Sequence, residues 1–147
     1  MAETAKLEGH KLAFFYIDLD RFKQVNDTLG HQAGDLLLKH VAEVFRKELT
    51  ENAFISRIGG DEFILLLPLT EHSKKDLQAL AQNLIEKINV PIMLKGKLTQ
   101  IGCSIGISIF PDNEFNDFHT LISYADQALY ASKEAGKNRV TFYSKFD

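Results

Sequence analysis

Short apolar runs alternate with longer amphipathic stretches along this chain, and the two patterns predict strands and helices respectively. Residues 12–18 form an apolar, aromatic run, which is typical of a strand buried on both faces. The run ends in acid, at Asp18 and Asp20. The polar stretch that follows contains Asn26 and Gly30, and it predicts a loop or a short helical turn.

Two hairpins are predicted further along the chain. Residues 54–58 and 63–69 are strand-like and are separated by a connection that begins with Gly59 and Gly60. Because glycine can adopt the positive φ angles of a tight turn, this connection predicts a hairpin. Residues 91–95 and 98–110 flank Gly96 in the same way. A last short strand is predicted over residues 139–143.

Three amphipathic helices are predicted from apolar residues at intervals of three and four. They span about residues 34–49, a stretch beginning near Ser73, and about residues 117–135, with Gly136 as the residue that ends the third helix. Their apolar positions are Leu37, Val41, Val44, Phe45 and Leu49 in the first, Leu77, Leu80, Leu84, Ile85 and Ile88 in the second, and Leu121, Tyr124, Ala125, Ala128 and Leu129 in the third.

The resulting order is β-α-β-β-α-β-β-α-β, and its first six elements match the ferredoxin-like split βαβ plan. We therefore expect an α/β (α+β) fold with a ferredoxin-like, palm-type βαββαβ core. An added hairpin and a C-terminal helix and strand would extend a mixed, mainly antiparallel sheet flanked by helices. The aromatic residues of the strands and the first helix are expected in the core.

Composition narrows the functional classes. At 147 residues the chain fits one domain, and its net charge of −3 gives no bulk attraction to nucleic acid or to a membrane. Its single cysteine, Cys103, is expected to be a buried thiol, and this indicates a reducing, cytoplasmic compartment. No apolar run is long enough to cross a bilayer, so we expect the domain to be cytoplasmic, or to be the cytoplasmic part of a membrane-anchored sensor.

The predicted topology brings three acidic residues together. In the split βαβ plan the first and third strands pair antiparallel, which places Asp18 beside Asp61 and Glu62. Neighbouring carboxylates raise one another's pKa, and a hard divalent cation relieves the repulsion. An Asp-X-Asp at a strand end, or a Gly-Gly-Asp-Glu turn, is by itself more often simple turn chemistry. Their convergence favours a Mg²⁺ (or Mn²⁺) site of the kind used in phosphoryl and nucleotidyl transfer.

Four motifs follow one another along the chain. They are Asp-Leu-Asp-Arg-Phe-Lys-Gln-Val-Asn-Asp at 18–27 followed by Gly30, His31, Gly34 and Asp35, Arg-Ile-Gly-Gly-Asp-Glu-Phe at 57–63, Ser-Ile-Gly-Ile at 104–107, and Ala-Asp-Gln-Ala-Leu-Tyr at 125–130 with Lys133, Gly136, Lys137 and Asn138. Together they resemble the motifs of GGDEF domains. Each motif is moderately specific, and four in register are much more so. The resemblance implies a diguanylate cyclase, which condenses two GTP into cyclic di-GMP and two pyrophosphates across a transient homodimer.

The resemblance also implies roles for particular residues. Asp18, Asp61 and Glu62 would be catalytic, and together with the carbonyl of Leu19 they would hold the metal ions. Asn26 and Asp35 would recognise guanine, because a carboxylate accepts the paired N–H donors that adenine lacks.

The remaining expected contacts are to phosphate. Backbone amides at Phe22 and Lys23 would bind it, and Gly59 and Gly60 would let the nucleotide approach the backbone closely. Lys133 and Lys137, four apart on one expected helical face, would reach the same phosphates. Without the resemblance, these two lysines would be read as a solvated helix end favoured by the helix dipole.

We expect residues 1–147 to form a single GGDEF domain with its core at 12–143. We expect the domain to be truncated at its N-terminal helix, with residues 1–11 as a flank, because the motif and helix that usually precede the first strand in this family are not visible in the sequence. In a longer protein, sensory or phosphodiesterase domains would be the partners. The alternative to an active cyclase is a catalytically silent, GTP-binding regulatory domain.

Overall fold

Strands and helices alternate through the parts of the chain that the computed structural model describes, which are residues 11–68, 74–110 and 118–143. In chain order the elements are β1 (Leu12–Asp20), α1 (Phe22–Leu29), α2 (His31–Glu48), β2 (Phe54–Arg57), β3 (Glu62–Pro68), α3 (Lys74–Asn89), β4 (Ile92–Leu94), β5 (Lys97–Thr99), β6 (Gly102–Phe110), α4 (Phe118–Glu134) and β7 (Val140–Phe142). The expected starts of the last two long helices, Ser73 and Asp117, lie outside the described residues.

The main sheet has five strands in the order β2-β3-β1-β6-β7. All neighbours are antiparallel except β6 and β7, and β1 lies between β3 and β6. The neighbouring strands β2, β3, β1 and β6 confirm the predicted ferredoxin-like order, and the mixed α/β fold is as expected. In the β1 register, Asp18 is opposite Glu62 on one side and Ser104 on the other.

Alternation along β1 divides its side chains between two cores. Ala13, Phe15, Ile17 and Leu19 belong to the larger core, which includes the buried residues of α2 and α3. Leu12 and Phe14 belong to the smaller core, which includes Leu121 and Ala125 of α4. The expected core aromatics Phe14, Phe15, Phe45 and Phe63 are buried, as is the Cys103 thiol.

Because Asp18 and Asp20 continue the even-numbered positions of β1, they share the face of the sheet that α4 covers. The helix lies very close to the sheet there, since a Cβ on Gly106 would be 2.2 Å from the Ala125 carbonyl oxygen and 2.2 Å from the Leu129 nitrogen. Real Cβ atoms do not approach backbone atoms so closely, so glycine at 106 sets the spacing between α4 and β6. The even positions at the end of β1 therefore lie under α4.

Three elements differ from the sequence prediction. The stretch expected to be a loop or single turn is the helix α1, in which Phe22 and Val25 are buried. Gly30, at φ 93°, separates α1 from α2, so α2 begins at His31 rather than near residue 34. The run at 98–110 is two strands, because β5 pairs with β4 in a separate two-stranded sheet while β6 pairs with β1.

The β2–β3 hairpin is confirmed, but the physical reason expected for it is wrong. Neither Gly59 nor Gly60 is among the glycines with positive φ. A Cβ on Gly60 would meet no atom within 4 Å, and one on Gly59 would make only ordinary contact with Glu62. The turn therefore does not require glycine for its own conformation. Within the described residues, no helix is long and apolar enough to span a bilayer.

Candidate active site

The ends of β1 and the β2–β3 hairpin meet at one edge of the sheet. Glu62 is the cross-strand partner of Asp18, so both side chains lie on the α4 face. The Leu19 amide donates to the Asp61 carbonyl at 2.9 Å, which fixes the turn against the end of β1. The Ile58 amide donates to the Glu62 carbonyl at 2.9 Å and closes the hairpin. The predicted convergence of Asp18, Asp61 and Glu62 is present.

Asp18 is the most confined of these acids, with 6% of its surface exposed. Its Oδ2 forms an ion pair with Nζ of Lys133, which α4 brings over the end of β1. Its Oδ1 is buried and has no hydrogen-bond partner. Burial and the charges of Asp61 and Glu62 raise the pKa of Asp18 to about 6, although Lys133 acts in the opposite direction.

The charge of Lys133 is maintained by the same acids. Partial burial lowers the pKa of Lys133, but the hydrogen bond and charge of Asp18, together with Asp61 and Glu62, outweigh it and raise the pKa overall. The ammonium group therefore stays protonated at neutral pH.

The described residues contain no group of three or more His, Cys, Asp or Glu side chains arranged to hold a metal ion. Asp61 and Glu62 are close enough to act on the charge of Asp18, but Lys133 takes one of the Asp18 oxygens. The unpartnered, buried Asp18 Oδ1 is the kind of atom that a hard cation satisfies. The oxygen donors at this edge thus fit Mg²⁺ or Mn²⁺ in chemical type.

Phe22 and Lys23 are the first two residues of α1, which begins directly after β1. The first N–H groups of a helix have no partner within it, and no side chain caps this end. The preceding residue, Arg21, has φ 71°, a left-handed conformation that turns the chain from strand into helix. The amides at Phe22 and Lys23 are thus available to an anion beside the strand-end acids.

The packing of α1 against α2 places Asn26 on Gly34, the residue before Asp35. A Cβ on Gly34 would lie 1.8 Å from Asn26 Oδ1, so the amide group of Asn26 occupies the space that a side chain at 34 would fill. Asp35, the next residue, is exposed on the first turns of α2. Glycine inside this helix is therefore explained by the position of Asn26.

A groove of about 560 Å³ runs between α2 and the β2–β3 hairpin, and Asp35 lies on its wall. The aromatic rings of Phe45 and Phe63 also line the groove and pack edge-to-face at 5.1 Å. Arg57 lines it from the hairpin side and donates from Nε to the Gly59 carbonyl at 2.9 Å. The groove thus extends from Asp35 to Arg57 and Phe63 of the hairpin.

The expectation that Lys133 and Lys137 share a helical face is wrong. Helix α4 ends at Glu134. The Lys137 amide then donates to the Ser132 carbonyl at 3.0 Å, and the Gly136 amide donates to the Lys133 carbonyl at 3.3 Å. These two bonds form a Schellman motif in which Gly136 is the C′ residue, as predicted, and Lys137 is the residue after it. Lys137 therefore lies in the turn, at φ 66°, and is exposed.

Two interactions near the site were not predicted. Tyr16, expected to be a core residue, is half-buried, and its hydroxyl donates to Glu62 Oε1 at 3.4 Å. Burial, and then the charge of Glu62, raise the pKa of Tyr16. The two-residue spacing between Tyr16 and Asp18 indicates a shared strand face, so this signal was present in the sequence.

The second unpredicted interaction is a buried network around Asp20. The Ser104 hydroxyl donates to the Asp20 carboxylate at 2.9 Å, and the backbone N–H of Asn138 donates to Asp20 Oδ2 at 3.0 Å. Asn138 Oδ1 in turn accepts from the Cys103 amide at 3.1 Å. Asp20 therefore anchors the turn that carries Lys137, and the Asp-X-Asp pair has two roles: Asp18 faces the site and Asp20 supports it.

The comparison with known proteins extends over nearly the whole chain. The sequence matches the family described as "Diguanylate cyclase, GGDEF domain" over residues 1–139. Diguanylate cyclase DgcP of Pseudomonas aeruginosa is 40% identical over 138 residues, which are 90% of this chain and 19% of DgcP. Cyclic di-GMP phosphodiesterase NbdA of the same organism is 38% identical over 143 residues, 97% of this chain and 18% of NbdA. The chain thus spans about a fifth of the length of these relatives.

Solved structures agree with this match. The GGDEF domain of YfiN (TpbB) from Pseudomonas aeruginosa superposes with a TM-score of 0.88 at 36% identity, over 97% of this chain and 88% of that one. The GGDEF domain of DgcB from Caulobacter crescentus, solved in complex with c-di-GMP, superposes with a TM-score of 0.87 at 28% identity, over 96% of this chain and 82% of that one. Because the family match and the structural superposition both cover nearly the whole chain, the chain belongs to the GGDEF domain family of diguanylate cyclases.

Proposed function

We propose that this domain is an active diguanylate cyclase, which joins two GTP molecules into cyclic di-GMP and releases two pyrophosphates. The observation that carries the proposal is the buried, unpartnered Oδ1 of Asp18 at the point where Asp61 and Glu62 converge. An isolated buried carboxylate oxygen is costly, and its retention beside two further acids is explained by a cation bound during function.

Asp18, the Leu19 carbonyl, Asp61 and Glu62 are the residues that would hold Mg²⁺ or Mn²⁺. When bound, such ions lower the pKa of the attacking hydroxyl and neutralise the triphosphate. Glu62 would accept the proton of the ribose 3′-hydroxyl as its oxygen attacks the α-phosphate. The hydrogen bond from Tyr16 fixes the orientation of that carboxylate.

The nucleotide would lie across this edge of the sheet. Its phosphates would meet the amides of Phe22 and Lys23 and the ammonium of Lys133, with Lys137 reaching them from the turn after α4. Gly59 and Gly60 have no side chains, so they leave the backbone of the hairpin bare. Neither needs to be glycine for its own conformation, and the close approach of a nucleotide would explain glycine at both positions.

Guanine specificity would come from Asp35 and Asn26. The Asp35 carboxylate lines the groove beside α2 and can accept from both N1–H and N2–H₂ of guanine. Adenine presents an acceptor at N1, which would be repelled, so we expect GTP to be preferred over ATP.

Each chain has one such site, whereas the product contains two nucleotides. Two domains must therefore face each other so that each 3′-hydroxyl reaches the α-phosphate of the other GTP. We infer a transient homodimer as the catalytic unit.

The second candidate is a regulatory domain that binds GTP without turnover. It is favoured by the relative NbdA, which is named a cyclic di-GMP phosphodiesterase and is 38% identical to this chain. MucR of the same organism, also 38% identical, is named a bifunctional diguanylate cyclase/cyclic di-GMP phosphodiesterase. In such a protein this domain would regulate an attached phosphodiesterase domain.

The test is incubation of the chain with GTP and Mg²⁺, both alone and dimerised through an appended coiled coil, with detection of cyclic di-GMP by chromatography. We expect product from the dimerised wild type and a loss of at least about a hundredfold in Asp61→Ala and Glu62→Ala. GTP binding without product in the dimerised wild type would contradict the cyclase and favour the regulatory domain.

A further inference from the structure

Lys133 has two possible anionic partners at this site. In the present structure its ammonium group is bound to Asp18 Oδ2, and Asp18 is also the first carboxylate assigned to the metal. The proposed function assigns the same ammonium group to the triphosphate. A cation held by Asp18 would stand close beside the Lys133 ammonium group, and the two positive charges would repel each other. The triphosphate offers that ammonium group another anionic partner.

We propose that Lys133 is a resident counter-ion that occupies Asp18 until the divalent cation and the triphosphate arrive together. The inference rests on the proposed function, since it explains how that site is filled. Lys133 would leave Asp18 when a cation is held there, and its ammonium group would then bind the phosphates.

The geometry supports exchange rather than a permanent ion pair. A permanent buried pair is normally completed by hydrogen bonds to the remaining oxygen of the acid. Here Oδ1 of Asp18 is buried without a partner, so the carboxylate is only half satisfied by Lys133. The Lys133 side chain is 36% exposed, which leaves it room to swing away towards solvent and a bound nucleotide.

The exchange couples the two ligands. A cation on Asp18 frees Lys133 for the nucleotide, and a nucleotide that binds Lys133 frees Asp18 for the cation. Because coupling between two binding equilibria is reciprocal, each ligand raises the affinity for the other. The domain would therefore bind metal weakly until nucleotide is present.

The test measures Mn²⁺ binding to the nucleotide-free protein by the electron paramagnetic resonance signal of free Mn²⁺. We expect Lys133→Met to bind Mn²⁺ about fivefold more tightly than the wild type, because the competing ion pair is removed. Lys137→Met is the matched control, since it removes a cation that is not paired with Asp18, and its change should stay below about twofold. Equal affinity in wild type and Lys133→Met, or equal gains in both variants, would overturn the proposal.

A second titration measures the coupling. Addition of 3′-deoxy-GTP, which lacks the attacking hydroxyl, should increase Mn²⁺ affinity by a smaller factor in Lys133→Met than in the wild type. The same factor in both proteins would contradict the exchange.

A measurement on the wild type avoids any effect of the substitution on folding. The side-chain ¹⁵N resonance of Lys133, assigned by its absence in Lys133→Arg, should shift when Mg²⁺ and 3′-deoxy-GTP are added. An unchanged resonance at saturation would show that Lys133 stays on Asp18. None of these readouts requires turnover, so a wild type that forms cyclic di-GMP without exchange, or exchanges without forming it, separates this inference from the proposed function.

Discussion

At the scale of the residue, Asp18 lies in surroundings that disfavour its charged form. Its side chain is buried in the sheet edge, one oxygen is bound by Lys133 and the other has no partner. The surrounding acids and the burial both disfavour the charged form, which is the form that binds a cation. The cation site proposed above would account for this unfavourable environment.

The raised pKa of Asp18 predicts a pH-dependent difference in stability between the wild type and Asp18→Asn. The pKa of Asp18 is raised from 3.8 to about 6, so between these values the folded state holds a proton that the unfolded chain has lost. The contribution of Asp18 to stability is therefore complete below about pH 4 and is lost as the pH rises through about 6.

We expect Asp18→Asn, which is neutral at every pH, to have a Tm a few degrees above that of the wild type at pH 7.5. The difference should disappear near pH 4, where the wild-type carboxyl is also neutral. Thermal unfolding at pH 4, 5, 6 and 7.5 in metal-free buffer tests this, and a difference that is constant with pH would refute it. Asp27→Asn, at an exposed site on α1, is the matched control.

At the scale of elements, the position of α4 decides where Lys133 lies. The helix rests on β6 at Gly106 and carries Lys133 over Asp18. Ser132, on the same turn, donates to the Ile105 carbonyl at 2.9 Å and holds this end of the helix to the sheet. The spacing between α4 and β6 therefore sets the reach of the ammonium group.

Two glycine substitutions should separate fold from function. Gly106→Ala places a Cβ 2.2 Å from backbone atoms of α4, so we expect the free energy of unfolding to fall by about 2 kcal/mol or more. Gly60→Ala places a Cβ in open space without positive φ, and it should leave stability unchanged. If the nucleotide passes over the hairpin, Gly60→Ala should still weaken GTP binding by about tenfold. Urea unfolding and titration with a fluorescent GTP analogue measure the two effects, and a stable Gly106→Ala would contradict the close approach of α4.

At the scale of the whole molecule, the proposed reaction would join two nucleotides, whereas one chain would supply one set of the proposed site residues. The relatives DgcP and NbdA are about five times longer than this chain, so other domains can supply the means of pairing two copies. Association would then be the step at which an input signal controls the output.

Dimer-dependent catalysis predicts that specific activity depends on concentration. When dimers are a minor species, a tenfold dilution of the chain should lower the rate per chain by about tenfold, since the dimer population follows mass action. At concentrations where most chains are paired, adding inactive Asp61→Ala chains to the wild type should suppress turnover, because mixed pairs replace wild-type pairs and have one defective site. A rate per chain that is independent of concentration, in a protein that sediments as a monomer, would rule out the dimer.

The amino-acid sequence by itself determined the strand order of the core, the buried aromatics and the convergence of Asp18 with Asp61 and Glu62. These follow from hydrophobic periodicity and from the few topologies that such an order permits. The break between β5 and β6 and the eight-residue α1 were not predictable, because both depend on which partner a short segment finds in the folded chain.

Only the tertiary structure decided what each charged residue faces. It placed Lys133 on Asp18, Asn138 on Asp20 and Tyr16 on Glu62, through contacts between residues far apart in sequence. It also placed Lys137 in the turn after α4, where a Schellman motif ended the periodicity that the sequence suggested. Local patterns fix which face of an element a residue occupies, but the distance between two faces is set by packing, and the chemistry of this site depends on that distance.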